Sequence, residues 1–565
     1  EDRVMDSNDL EKERGITILS KNTSVFYKDT KINIIDTPGH ADFGGEVERV
    51  LKMVNGVVLI VDSFEGVMPQ TKFVLDKALS LDLSVIVCIN KIDRPDGRPQ
   101  EVIDEILELF IELGANDEQL DCPFIYASAK SGFALNELDD EPKDLTPLFE
   151  AIVNHIPAPG GDEEAPAQML ISTIDYNEFT GRIGVGKLDQ GTLKVNQEVV
   201  IVNHHDESRS KRVRITKLYT FEGLNKVDVD IATCGDIYAV SGITDLKIGD
   251  TICDVNAPDA IPFQKISEPT ISMDFMVNDS PLAGREGKYV TSRHLRDRLY
   301  NELNTDVSLR VEETPGVENS FKVSGRGELH LSVLIENMRR EGYELQVGQP
   351  HVIIKEIDGQ KCEPIEELTV DVPEESAGKV IELTTKRKGV LTDMQTIHDR
   401  QRLQFDIPSR GIIGLRSNLL TATAGEAVIS HRLKGFEPYK GDIEMRTNGS
   451  LIAMETGTAY AYAINKLQDR GTFFVSPGEE IYCGQVVGES TRSDDIVINL
   501  TKSKKLTNMR ASGSDEKVSI APPVIFSLEE ALEYIKEDEY VEVTPKHIRL
   551  RKILLNETDR KRQAK

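Results

Sequence analysis

The chain has 565 residues, a formal net charge of −29, 39% hydrophobic and 29% charged side chains, enough length for about four domains at roughly 150 residues each. This balance excludes a disordered chain, and the acidic excess excludes wholesale polyanion binding, leaving any nucleic-acid contact to a local patch. The six cysteines, Cys88, Cys122, Cys234, Cys253, Cys362 and Cys483, lie far apart with no CxxC spacing, as reduced thiols in the cytoplasm do, and no apolar run approaches the roughly 18 residues of a membrane span.

Glu13-Arg14-Gly15-Ile16-Thr17-Ile18 comes first. The apolar run Ile32-Asn33-Ile34-Ile35 then leads into Asp36-Thr37-Pro38-Gly39-His40 and a helical pattern over 43–54. An acidic residue ending a buried strand, then a Gly whose bare backbone can approach a phosphate, suits a site that holds Mg²⁺ and senses a terminal phosphate. Taken alone, the pentapeptide reads equally well as a strand-to-helix turn. Further on, Asn90-Lys91-Ile92-Asp93 follows the β-branched run Val85-Ile86-Val87-Cys88-Ile89. A carboxylate there accepts hydrogen bonds from N1 and N2 of guanine, donors that adenine lacks, and so selects GTP over ATP. The spacing of Val102, Ile103, Ile106, Leu109, Phe110 and Leu113 predicts an amphipathic helix over 102–113. Ser128-Ala129-Lys130 follows Phe124-Ile125-Tyr126-Ala127, and a backbone N–H there can reach the base carbonyl. Each motif closes an apolar strand, which is the ligand-binding edge of an open parallel sheet. A helix over 145–156 and a Pro/Gly-punctuated linker over 156–166 end the first domain.

With those residues in view, the segment around Thr17 resembles the first switch of translational GTPases. The resemblance implies that the Thr17 hydroxyl contacts Mg²⁺ and reports the γ-phosphate. It makes Asp36 the second-switch carboxylate on the metal, and His40 the catalytic residue that orients the attacking water. That role suits a loose transition state needing positioning more than covalent help. The implied nucleotide set is Asp36, Gly39, Asn90, Lys91, Asp93, Ser128, Ala129 and Lys130, with GTP as substrate and Mg²⁺ as cofactor. The family's phosphate loop, G-x-x-x-x-G-K-[ST], is not found ahead of Thr17. A near-match at 181–188 ends in Leu188, which has no hydroxyl for Mg²⁺, and it lies in an alternating strand pattern rather than opening a helix. The expectation is therefore an incomplete P-loop GTPase α/β domain over 1–158, cut before the first switch. Loss of a central strand would leave backbone groups unpaired, so the intact protein is expected to hydrolyse GTP and this chain to be inactive.

Short alternating runs over 167–262 predict a β-barrel, in the place of the second domain of translation factors. Residues 267–348 and 362–438 each read as βαββαβ, the split unit of ferredoxin-like α+β folds. Their Ser324-Gly325-Arg326-Gly327 and Pro408-Ser409-Arg410-Gly411 segments resemble elongation factor G. Only 351–361 separates the two copies, where elongation factor G carries a whole domain that enforces translocation, and this argues against a translocase. The β-rich remainder, 441–565, resembles the C-terminal domain of the TypA/BipA family, a resemblance that covers essentially the whole chain. Residues 501–565 hold 14 Lys plus Arg against 11 Asp plus Glu, a local excess of +3, so Lys502, Lys504, Lys505 and Arg510 are the expected RNA contacts, with Lys546, Arg549, Arg551 and Lys552 behind them. The resemblance implies a monomer acting with the 70S ribosome and its large subunit, with ribosomal RNA and tRNA as partners, in large-subunit assembly and stress adaptation. The alternatives are a non-catalytic ribosome-binding scaffold or a factor like LepA.

Overall fold

The unbroken apolar run of Ser84–Asn90 needs cover on both faces, and it lies inside a four-stranded sheet ordered Gly56–Asp62, Ser84–Asn90, Phe124–Ser128, Phe133–Leu135. The first three strands are parallel and the last antiparallel. Val85, Val87 and Ile89 pack with Leu75, Val102, Ile106 and Phe110 on one face. Ile86 and Cys88 pack on the other with Ile125, Leu148 and Ile152. The predicted central helix spans Pro99–Glu112, with Pro in its first turn, where the missing N–H costs nothing. The computed structural model describes residues 5, 9–14, 17–18, 20–38, 44–263, 268–397, 400–443, 446–503 and 519–563. The chain divides into two units: Glu1–Ser267 with Asn304–Val307, and Glu268–Leu303 with Ser308–Lys565.

The strand ending in Asp36 departs from expectation. Thr30–Asp36 is neither fully buried nor part of the parallel sheet; it pairs antiparallel with Lys21–Tyr27 as a separate hairpin. Lys31 and Asn33 alternate with Ile32 and Ile34, a pattern suited to a strand with one polar face, which accounts for the partial burial.

The rest of the first unit is an eight-stranded antiparallel sheet ordered Asp206–Arg214, Glu198–Asn203, Asp250–Asp254, Gln168–Asn177, Gly181–Gln190, Ile237–Ser241, Lys217–Glu222, Asn225–Val229. Met169, Ile171, Leu188, Val199, Ile201, Val240 and Ile252 fill its interior. The near-match to a phosphate loop is thus strand Gly181–Gln190. A Cβ at Gly186 would stand 1.9 Å from the Leu170 carbonyl oxygen, so this glycine permits close strand contact rather than a phosphate cradle.

In the second unit, Ile271–Met276, Ser292–Glu302, Arg310–Glu313, Ser320–Gly325, Glu328–Glu341 and Leu345–Val347 follow the order βαββαβ. The strands lie second, third, first, fourth across the sheet. Gln360–Pro373, Ala377–Lys386, Val390–Ile397, Arg400–Pro408, Leu415–Ala422 and Val428–Pro438 repeat both the order and the arrangement. The first of these sheets does not stop at its fourth strand. Leu345–Val347 pairs with Glu539–Val543, and the sheet runs on through Ile548–Lys552, Gln485–Ser490 and Ser450–Ala453 to Ile496–Ile498. One core, including Phe275, Phe321, Leu334, Leu532 and Val541, lies along it.

Candidate guanine-nucleotide site

Three parallel strands deliver their carboxyl ends side by side. Asn90, half-buried at the end of Ser84–Asn90, accepts the Ala129 backbone N–H on Oδ1 at 3.0 Å. One side chain thereby ties the two expected base-reading loops together. Ser128 is fully buried, and its Oγ accepts the Ser131 N–H at 3.2 Å, which fixes the turn. Ala129 and Lys130 are exposed beyond it. Lys91 adopts φ +64, a left-handed conformation that non-glycine residues hold only when their surroundings impose it. Asp93 is exposed and takes no hydrogen bond or ion pair among the described residues, leaving both carboxylate oxygens available to a ligand.

Sequence reasoning missed the support beneath these loops. Lys91 Nζ lies 2.6 Å from Asp62 Oδ2. Asp62 Oδ1 accepts the Phe64 and Glu65 N–H groups at 2.8 and 3.2 Å. Burial pushes the Asp62 carboxyl up, but the Lys91 ammonium and the two backbone donors outweigh it and hold it below the ordinary carboxylate range. The Ser63 hydroxyl donates to the Lys91 carbonyl at 2.9 Å, and the Ser63 N–H donates to the Asn90 carbonyl at 2.9 Å. The signal was present: Gly56–Asp62 is an apolar strand with a terminal acid, as Thr30–Asp36 is.

Of the expected metal-binding residues, Thr17 Oγ1 donates to Asp36 Oδ2 at 3.3 Å. The segment bearing Thr17 is held by two carboxylates, since Glu11 accepts the Ile18 N–H and Glu46 the Ser20 N–H, each at 2.9 Å. Gly39 and His40 lie outside the described residues, as do Lys504, Lys505 and Arg510. Lys502 and Lys546 are exposed.

Three of the secondary RNA candidates require correction, because Arg549, Arg551 and Lys552 are 8%, 2% and 1% exposed. Arg549 donates to Glu542 at 2.9 Å and Glu286 at 3.3 Å. Arg551 donates to Asp279 and Gln346. Lys552 is ringed by Asp495, Asp538 and Glu539 at 2.7, 2.8 and 3.1 Å. Buried cations must be paired, and these hold the sheet together rather than meet phosphate. Arg410 is likewise occupied, ion-paired with fully buried Glu363 and stacked 4.3 Å over Tyr439. Arg326 is half-buried, and its carbonyl accepts the Thr270 hydroxyl at 2.7 Å.

Comparison with known proteins matches four family descriptions along the chain. They are the elongation factor Tu GTP binding domain over 1–158, elongation factor Tu domain 2 over 181–253, the elongation factor G C-terminus over 360–447 and the TypA/BipA C-terminal domain over 448–557. Full-length relatives carry the name large ribosomal subunit assembly factor BipA. The Bacillus subtilis protein is 52% identical over 566 residues, covering 100% of this chain and 92% of the relative. The Haemophilus influenzae protein is 53% identical, covering 100% and 91%, and that of Synechocystis 51%, covering 97% and 92%.

Proposed function

The chain belongs to the TypA/BipA family of translational GTPases, and from that footing we propose that the intact protein hydrolyses GTP on the ribosome while acting in assembly of the large subunit. The observation that carries the guanine reading is the bond from Ala129 N–H to Asn90 Oδ1, which draws two loops toward one base. In this reading Asp93 receives the guanine N1 and N2 donors, an exposed Ala129–Lys130 segment meets the base carbonyl, and Lys91 braces the loop through Asp62.

A hydroxyl and a carboxylate 3.3 Å apart, Thr17 and Asp36, are the hard oxygen donors that suit Mg²⁺. When bound, that ion would neutralise charge on the phosphates. What the chain itself does is hold the donors: Glu11 and Glu46 fix the backbone just after Thr17, at Ile18 and Ser20. His40 is assigned the orientation of water, and Gly39 the approach to phosphate.

The barrel reading of 167–262, the ferredoxin-like reading of 267–348 and 362–438, and the separate C-terminal domain over 441–565 accompany this assignment. Lys502, Lys504, Lys505 and Arg510 are proposed to meet ribosomal RNA, with tRNA as a further partner of a monomer in the cytoplasm. Among the described residues, no helix is long and apolar enough to cross a membrane. The test is nucleotide competition against labelled GDP, together with phosphate release in the presence of 70S ribosomes. GTP should compete, ATP should not, and ribosomes should raise turnover. Equal competition by ATP would overturn the assignment.

A further inference from the structure

One acidic side chain makes two of the ties that hold the strand ending in Asp36 to the eight-stranded sheet of its own unit. Asp236 Oδ2 accepts Lys31 Nζ at 2.8 Å, and Asp236 Oδ1 accepts the Asn33 amide at 2.8 Å. Lys31 Nζ also donates to Thr220 Oγ1 at 2.8 Å. Directly across the hairpin from Asn33 stands Ser24. Its hydroxyl donates to the Phe221 carbonyl at 2.7 Å and its N–H to the Gly223 carbonyl at 3.2 Å. Residue Ile35 and, from the helix Gly44–Leu51 and its end, Val50 and Met53 pack with Ile183, Val185, Phe221, Ile237 and Ala239. Asp236 is itself fixed, since its carbonyl accepts the Leu188 N–H at 3.1 Å and Oδ1 accepts the Ile237 N–H at 2.7 Å.

We propose that Asp236 is a positioning residue for the metal end of the GTPase site, clasping Lys31 and Asn33 so that Asp36, three residues beyond Asn33, stays opposite Thr17. The proposal rests on the assignment of Thr17 and Asp36 to Mg²⁺. It makes the antiparallel sheet a support for the metal-sensing strand. Neither Lys31 nor Asp236 belongs to the Asn90–Asp93 or Ser128–Lys130 loop, so base recognition is expected to survive their loss.

The experiment uses the intact protein and compares wild type with Asp236→Ala, with Lys31→Met, which leaves the antiparallel sheet untouched, and with the exchanged pair Lys31→Asp/Asp236→Lys. Three readouts are needed: amide hydrogen exchange over 21–36, GDP affinity in EDTA, and the Mg²⁺ concentration giving half-maximal GTP hydrolysis with 70S ribosomes. Each single variant should speed exchange in the hairpin by about tenfold or more, the loss expected for a charge-assisted contact. Each should raise the Mg²⁺ requirement severalfold while GDP affinity in EDTA stays put, and the exchanged pair should move both altered readouts back toward wild type. Unchanged hairpin exchange in both single variants overturns the clasp. A loosened hairpin with an unmoved Mg²⁺ requirement overturns the positioning role and leaves only a structural contact. An intact wild-type protein that takes no guanine nucleotide refutes the nucleotide reading and the metal half of this proposal with it, whereas the exchange measurement still judges the clasp by itself.

Discussion

Replacing Asp93 by Asn tests guanine recognition with almost no change in volume. Asp93 is exposed and has no protein partner among the described residues, so the free protein loses nothing it was using and its unfolding midpoint should not move. In the complex, a carboxylate receiving two N–H donors is replaced by an amide that offers one oxygen and turns its own NH₂ against a donor. Hydrogen bonds to a charged group contribute about 1.5–3 kcal/mol, so GDP binding should weaken about 13- to 160-fold. A xanthine nucleotide, which carries a carbonyl where guanine has its amine, should instead gain, because that carbonyl accepts from the new NH₂. Isothermal calorimetry with GDP and XDP against both proteins gives the two numbers directly. Unaltered GDP affinity in Asp93→Asn, with the fold intact, would refute the placement of the base against Asp93.

Burial pushes the Glu539 carboxyl up, but Arg446 and Lys552 outweigh it and hold it below the ordinary 4.5; its stabilising contribution is complete above that value and fades as pH falls through the depressed one. Denaturant titrations of the second unit from pH 6 to 3 should show that loss, and Arg446→Met, which breaks a 2.9 Å buried ion pair, should cost about 3–5 kcal/mol at neutral pH. Changing Lys502, Lys504, Lys505 and Arg510 together to Ala should lower the salt slope of ribosome pelleting by about 3, at roughly 0.7–0.9 per phosphate contact, while Arg551→Ala should destabilise the fold and leave the slope alone. Burial pushes the Cys88 and Cys122 thiols up to about 11, so maleimide at pH 8 should label them only on unfolding, as mass spectrometry of labelled peptides would report.

Patterns local to one segment were readable before any coordinates. The apolar run at 84–90 could only be an interior strand, and the helical spacing at 102–113 matched a helix whose Val102, Ile106, Leu109 and Phe110 are buried. The switch between twofold and 3.6-fold periodicity exposed βαββαβ twice. What escaped notice depends on residues far apart in the chain. Nothing near Ile32–Ile35 announces that its partner is Lys21–Tyr27 and that its support is Asp236. Arg551 reads as basic surface because Asp279, which neutralises it, stands more than 250 positions away, while Arg549 and Lys552 meet nearby acids, Glu542, Asp538 and Glu539, that only the folded sheet turns toward them. The link from Lys91 to Asp62 was overlooked for a simpler reason: the strand Gly56–Asp62 ends in an acid that belongs to none of the nucleotide motifs.

The join between Leu345–Val347 and Glu539–Val543 sets a timetable for the chain's synthesis. Val347 leaves the translating ribosome 192 positions before Glu539 does, so through that interval one border of a four-stranded sheet stands bare. Bare borders recruit other strands. A nascent chain that stalls or is cleaved after its second βαββαβ copy should therefore be prone to self-association, and the strand Glu539–Val543 is the cover that ends the hazard.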